Sequence, residues 1–241
     1  KTKYKGLLIY HGIGSGKTCA SINILEKWKR KKKILVILPA SLRSSYYEEL
    51  RSKCTKNEYI SDKERSILEK YDPRDTEYRD IITIVNKRIE KYYTILSYNK
   101  FVTLIDKKKI KLTNHIIAID EVQNIISESG SYYKKISKFI NGSPSNTRII
   151  LLSATPIFNK PVEIALTFNL LKLPIPLPTS YKFNNYFLSS KKRRGICKYS
   201  AKNLKVFKKM IKGYISYYSG APLVAFPNTI IKYVRCEMSE Y

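Results

Sequence analysis

Short apolar runs separated by longer mixed stretches dominate the first part of the chain. Leu7–Tyr10, Ile34–Leu38, Thr94–Ser97, His115–Ile119 and Arg148–Leu152 are brief and nearly all apolar, without polar alternation. That texture predicts strands buried on both faces. Ile81–Val85 reads the same way and predicts one more strand. Cys19–Leu25, Ser44–Leu50, Ile164–Leu173 and Leu204–Ile211 read as helices, and Thr229–Val234 as a late strand. Residues 55–80 are polar, charged and broken by Pro73, and read as an insertion or a mobile excursion. Strands alternating with helices predict an α/β fold with a parallel sheet covered by helices on both faces. In such sheets ligands sit beyond the carboxyl ends of the strands.

Three motifs fall at those ends. The first is "IYHGIGSGKTC", residues 9–19, which follows the phosphate-loop pattern GxxxxGK(S/T) except that His11 stands at its first glycine. Gly12, Gly14 and Gly16 permit positive φ, so backbone N–H groups can turn around an anion. Lys17 would reach the outer phosphates and Thr18 would place its hydroxyl on Mg²⁺. The helix that follows points its positive end at the same place. The predicted nucleotide cradle is therefore Gly12, Ile13, Gly14, Ser15, Gly16, Lys17 and Thr18. The second motif, "IIAIDEVQN", sets Asp120 to hold the metal and Glu121 to orient and deprotonate a water. The third, "LLSATP", offers Ser153, Ala154 and Thr155 as a hydrogen-bonding relay to a neighbouring surface. Taken singly, the acid pair also fits a helix start, and the hydroxyls fit a helix cap. In this order the three converge on one site.

Charge adds a partner. Lys and Arg number 46 against 19 acids, a formal +27, which points to a polyanion and most simply to nucleic acid. Part of that excess is what an A/T-rich genome encodes, since Ile, Asn and Tyr are abundant too. The four cysteines, Cys19, Cys54, Cys197 and Cys236, form no CxxC pair, so neither a zinc site nor a disulfide framework is expected. A reducing compartment follows. No apolar run approaches the ~20 residues that cross a bilayer, so no membrane partner is expected.

Gly-x-Gly-Lys-Thr, then Asp-Glu, then Ser-Ala-Thr is the motif order of superfamily 2 DEAD/DEAH-like helicases and translocases, which this chain resembles. "LLIYHGIGSGKTC", "LVILPASLRSSYYEEL", "IIAIDEVQNIIS", "LLSATPIFNKPVEIALTFNLL" and "GYISYYSGAPLVAFP" are similar to one branch of it, the poxvirus-type helicases of large DNA viruses. That branch includes nucleoside triphosphate phosphohydrolase I and the helicase-like early transcription factor subunit. The resemblance covers most of the chain and leaves out 55–80. It implies an ATP- and Mg²⁺-dependent motor of two RecA-like lobes, serving viral transcription in the host cytoplasm or the virion. DNA stands ahead of RNA as its track. Residues 1–178 would be the first, P-loop lobe, 179–228 a basic and aromatic extension, and 229–241 the start of the linker to a second lobe. By the same resemblance Lys17, Asp120, Glu121 and Gln123 carry catalysis, with Thr18 and Asp120 on the metal. Ser153, Ala154 and Thr155 couple hydrolysis to movement, and Pro39, Ala40, Ser41 and Arg43 grip a nucleic-acid backbone. "ILSYNKF", residues 95–101, sits where further strand contacts are expected.

Two departures bear on this. Gln123 stands where the superfamily usually has His or Asp; it can hydrogen-bond but cannot titrate. The arginine fingers belong to the second lobe, so 1–241 alone is expected to bind ATP and hydrolyse it poorly. A helicase-like scaffold or DNA-binding subunit of a transcription complex is the alternative. Among the basic runs, Lys29–Lys33 reads as a solvated helix end. Lys191–Arg194, near Tyr181, Phe183 and Tyr186, reads as the better base-stacking surface. Tyr214, Tyr217 and Tyr218 are spaced for a packed helical face.

Overall fold

The computed structural model describes residues 4–193, 196–220 and 232–234. Its centre is a six-stranded parallel sheet in the order β3-β2-β4-β5-β1-β8. The strands are β1 (Gly6–His11), β2 (Lys33–Leu38), β3 (Tyr93–Ser97), β4 (His115–Ile119), β5 (Arg148–Ser153) and, past an antiparallel hairpin of β6 (Leu188–Arg193) and β7 (Ile196–Ala201), β8 (Ile215–Tyr218). The helices are α1 (Lys17–Glu26), α2 (Arg43–Arg51), α3 (Asp62–Leu68), α4 (Thr76–Glu90), α5 (Tyr98–Asp106), α6 (Ser131–Asn141), α7 (Glu163–Asn169), α8 (Ser180–Phe187) and α9 (Leu204–Ile211).

The unbroken apolar strands have a direct cause. Successive side chains point to opposite faces, and both faces are covered. Leu35 and Ile37 of β2, Ile117 and Ile119 of β4 and Ile149 and Leu151 of β5 pack into one core, with residues of α5, α6, α7 and α8. Ile34, Val36 and Leu38, Ile116 and Ala118, and Ile150 and Leu152 pack into the other, with residues of α1, α2 and α4. The strand order sets β4, β5 and β1 side by side, and Ser153 lies opposite Tyr10 in register. The three motif-bearing ends are thus neighbours.

Three expectations change. Ile81–Val85 lies inside α4, not in a strand. Val85 and Ile89, one helical turn apart, are buried, while Ile84 faces solvent. Glu77 in the first turn and Lys87 and Arg88 in the last suit the helix dipole, and burial of that stripe overrides the β-branched preference. Residues 55–80 are folded, with Tyr59 and Ile60 buried and α3 opened by a Ser61–Glu64 capping box. The tyrosines near the end of the described chain belong to strand β8 and its approach; Tyr214 is buried, whereas Tyr217 and Tyr218 are exposed. α8 buries Phe183 and Phe187 in the first core, so part of 179–228 builds the same body. Lys232–Val234 has no regular structure, and the rest of the expected late strand lies outside the described residues.

Glu64 also meets Arg88 in a two-pronged ion pair, with bonds of 2.9 and 2.8 Å. The guanidinium holds its carboxyl down to about 2, with the Ser61 backbone N–H and hydroxyl helping. The folded value is below the unfolded one, so this stabilisation is full above the ordinary 4.5 and is lost as pH falls from there toward 2. Thermal melts of the protein and of Glu64→Gln should differ at neutral pH and converge near pH 2; a difference that persists at that acidity would refute the assignment.

Candidate nucleotide site

The loop between β1 and α1, residues 12–16, turns tightly from the strand into the helix. Gly14 and Gly16 take φ of 71° and 74°, a region that side-chain-bearing residues avoid. Gly12 is needed for another reason: a Cβ there would stand 2.7 Å from the Ser219 carbonyl oxygen. Its N–H donates to the Tyr218 carbonyl at 2.9 Å, and the Ser15 hydroxyl closes the loop on the Gly12 carbonyl at 2.6 Å. His11, at the position of the missing glycine, is anchored outward by a 3.0 Å bond between Nε2 and the Ser216 hydroxyl of β8. It therefore needs none of the freedom a glycine supplies. α1 starts at Lys17 with no side-chain cap, so its first-turn N–H groups are available to an anion.

The acid pair follows β4. Asp120 is buried, accepts the Glu121 N–H at 2.9 Å, and donates its own N–H to the Ile37 carbonyl at 2.9 Å. Glu121 has φ of 50°, a strained conformation for a non-glycine residue. Tyr98 holds it there: its hydroxyl donates to the carbonyls of both Asp120 and Glu121. Burial pushes the Asp120 carboxyl above its ordinary range, with the Glu121 charge adding to it and Lys17 opposing. Burial acts the same way on Glu121, but hydrogen bonds from Lys17 and Gln123 outweigh it and hold that carboxyl below its ordinary range.

One continuous relay links the three motifs. Lys17 Nζ donates to Glu121 Oε1 at 2.6 Å. Gln123 Nε2 donates to Glu121 Oε2 at 2.5 Å. The Ser153 hydroxyl donates to Gln123 Oε1 at 2.7 Å and accepts the Thr155 N–H at 3.0 Å. Gln123 thus serves as a donor on one side and an acceptor on the other, a role that needs no titration. A pocket of about 260 Å³ is lined by Gly12, Ile13, Gly14, Gly16, Lys17, Thr18, Cys19, Glu49 and Glu121. Its loop donors and Lys17, with Glu121 on the wall and the buried Asp120 next to it in sequence, fit a magnesium-bound nucleoside triphosphate. Lys17 and the loop N–H groups would hold phosphate oxygens, and Thr18 and Asp120 would hold the metal.

A family model described as DEAD/DEAH box helicase matches residues 2–164. The chain belongs to the DEAD/DEAH box helicase family. Among viral relatives, one named "Putative ATP-dependent RNA helicase R563" from Acanthamoeba polyphaga mimivirus is 49% identical over 240 residues, covering 100% of this chain and 42% of its own. The chain thus spans less than half of that relative. A protein named "Termination factor NPH-I homolog" from African swine fever virus is 25% identical over 183 residues, covering 74% of this chain and 24% of its own. The SWI2/SNF2 ATPase core of Sulfolobus solfataricus, solved in complex with double-stranded DNA, shares the fold with a TM-score of 0.54 at 22% identity, covering 90% of this chain and 40% of that one.

The other residues that the sequence suggests for a site lie apart from this pocket. Pro39, Ala40, Ser41 and Arg43 form the short 3-10 turn and helix start beyond β2, on the same rim of the sheet but outside the nucleotide pocket. Ala40, Ser41 and Arg43 are exposed, and the Arg43 guanidinium lies 5.8 Å from the Tyr47 ring centre. Ala154 sits between Ser153 and Thr155 just past β5. In "ILSYNKF" only Asn99 and Lys100 face solvent, while Tyr98 and Phe101 are buried. Lys29 forms ion pairs with Glu26 at 2.6 Å and Glu58 at 2.7 Å, so it is a structural cation. Lys191, Lys192 and Arg193 lie in β6, and Arg194 lies outside the described residues.

The sequence reading passed over three contributors. Tyr98 carried a usable signal, a tyrosine right after a strand that neighbours β2, but its partners come from two elements away. His11 registered only as a mismatch. The cysteine expectation needs correction: Cys19 and Cys54 form a disulfide, with Cα atoms 5.7 Å apart. Thirty-five positions separate them, and only the return of the chain through α2 brings them together. Cys197 lies in β7 and Cys236 lies outside the described residues.

Proposed function

We propose that this chain is the nucleotide-binding lobe of an ATP-dependent nucleic-acid motor that serves viral transcription, with ATP and Mg²⁺ as its cofactors. The observation that carries the reading is the relay Lys17–Glu121–Gln123–Ser153. A site that only bound nucleotide would have no use for a hydrogen-bonded line from its water-activating acid to a third motif at the sheet rim. Mg²⁺, when bound, neutralises charge on the phosphate oxygens. Lys17 would leave Glu121 for the phosphate oxygens, and Glu121 would then be free to accept a proton from the attacking water. Loss of the Lys17 bond would leave Glu121 held by Gln123, which also holds Ser153, so a shift of Glu121 at the phosphates would carry through Gln123 to Ser153 and Thr155.

The lobe comprises 1–178 with α8 and β8 of the 179–228 extension added to it, and 229–241 would begin the link to a second lobe. Ser41 and Arg43, exposed on the same rim, supply the grip on a nucleic-acid backbone. DNA is the favoured track, and a viral factory in the host cytoplasm, or the virion, is the setting this reading implies. The transcription role takes support from the termination-factor name of the African swine fever virus relative; the RNA-helicase name of the mimivirus relative brings RNA into the test. The experiment is ATP turnover of the full-length protein with no polymer, duplex DNA, single-stranded DNA and RNA, beside Arg43→Ala. Stimulation by one polymer that Arg43→Ala removes is the expected result. Turnover indifferent to all of them would leave a scaffold subunit as the better description.

A further inference from the structure

The Cys19–Cys54 pair lies where it can act on the nucleotide site. Cys19 follows Thr18 directly, stands in the first turn of α1, and lines the phosphate pocket. Cys54 sits on the single 3-10 turn Lys53–Thr55 that continues from α2. At its other end α2 begins at Arg43, immediately after the Ala40–Leu42 turn. The bond thus ties the phosphate-loop helix to the element that carries the backbone-gripping residues.

Both cysteines are placed by groups that do not depend on the bond. The Ser52 hydroxyl accepts the Cys54 N–H at 3.0 Å, and the Thr55 hydroxyl donates to the Leu50 carbonyl at 3.0 Å. Glu26 of α1 accepts the Tyr59 hydroxyl at 2.7 Å, holding the next stretch of chain against the same helix. The Asn23 amide donates to the Cys19 carbonyl at 3.0 Å and lies 3.4 and 3.5 Å from the two sulfurs. A reduced pair would therefore stay within bonding reach. Both residues are only partly buried, so a small thiol can reach them.

We propose that Cys19 and Cys54 are a redox modification site whose oxidation locks α1 to α2 and slows the motor. The inference rests on the nucleotide-site reading above. The oxidant is a low-molecular-weight disulfide of the glutathione type. One cysteine thiolate attacks it, forming a mixed disulfide and releasing one small thiol. The second cysteine thiolate then attacks the protein sulfur of that mixed disulfide, closing the Cys19–Cys54 bond and releasing the other small thiol. The two cysteines lose two electrons in total, which reduce the small disulfide to two thiols, and their two protons go to the leaving thiolates. A dithiol reductant reverses the exchange.

The experiment equilibrates the full-length protein in buffers of graded reduced-to-oxidised glutathione ratio. Peptide mass mapping follows the Cys19–Cys54 linkage, and ATP turnover and affinity for a fluorescent ATP analogue are read on the same samples. Turnover should fall by roughly 2- to 30-fold as the linkage forms, the range that couplings through a packed network span. Cys54→Ser cannot form the linkage, and in samples where mass mapping shows no mixed disulfide at Cys19 it should keep the reduced-state turnover at every ratio. If that variant does not fold, reversal of the wild-type effect by a dithiol, in step with loss of the linked peptide, carries the same test. Turnover that stays constant while the linkage goes from absent to complete would overturn the proposal, and so would a linkage that never forms. Failure of the nucleotide reading looks different: no analogue binding at any ratio.

Discussion

Glu121→Gln should bind nucleotide yet lose ATP turnover by about 10²- to 10⁴-fold, the usual worth of a positioned general base. The change removes basicity and little else. A glutamine at 121 still presents an oxygen to Lys17 or Gln123, which meet Glu121 at 2.6 and 2.5 Å. The strained backbone there is held by the Tyr98 hydroxyl and the Asp120 carboxylate, neither of which depends on the 121 side chain. Affinity for a fluorescent ATP analogue should consequently stay near wild type while single-turnover hydrolysis in the full-length protein collapses. Hydrolysis within a few-fold of wild type would mean that Glu121 is not the base.

Phe168→Ala should cost the fold about 3–5 kcal/mol, the range for removing a buried aromatic ring. Phe168 is fully buried on α7, in the core that also takes Leu151 of β5 and Ile136 of α6. Those neighbours belong to rigid elements and cannot close over the vacated volume, which puts the cost toward the upper part of that range. Phe158→Ala is the control. It removes an equal ring, but one that is 75% exposed, and should change stability by no more than ~0.5 kcal/mol. Urea unfolding of the two variants side by side measures the contrast; equal losses would place the core elsewhere.

The parallel sheet and its three rim motifs were legible because each strand is buried on both faces and so spells itself as an apolar run. Lys17, Asp120, Glu121 and Ser153 could be placed on one rim from such runs alone. Ile81–Val85 misled for the same reason: four apolar residues around Thr83 fit a strand or a helix, and the decision came from Val85 and Ile89 packing a turn apart. Tyr98 was visible as a tyrosine right after a strand, but its partners, like those of the Cys19–Cys54 bond, are set by how α5 and α2 fold back on the sheet, which no local pattern encodes. Gln123 reads in sequence as a departure. In three dimensions its amide, with one donor end and one acceptor end, suits the gap between Glu121 and Ser153.

The neighbour of β1 on its outer side comes from the far end of the described chain, where β8 pairs Leu8 with Ile215 and His11 with Tyr218. During synthesis on a ribosome, the strand that launches the phosphate loop must wait for some two hundred further residues before that flank is covered. Until then it has an open hydrogen-bonding edge, a template for pairing with other nascent chains. His11 also lacks its serine, and Gly12 the carbonyl that fixes the loop. Nucleotide affinity should therefore arrive late in biogenesis, and a chain cut before residue 215 would yield an aggregation-prone body, not a smaller ATP-binding one.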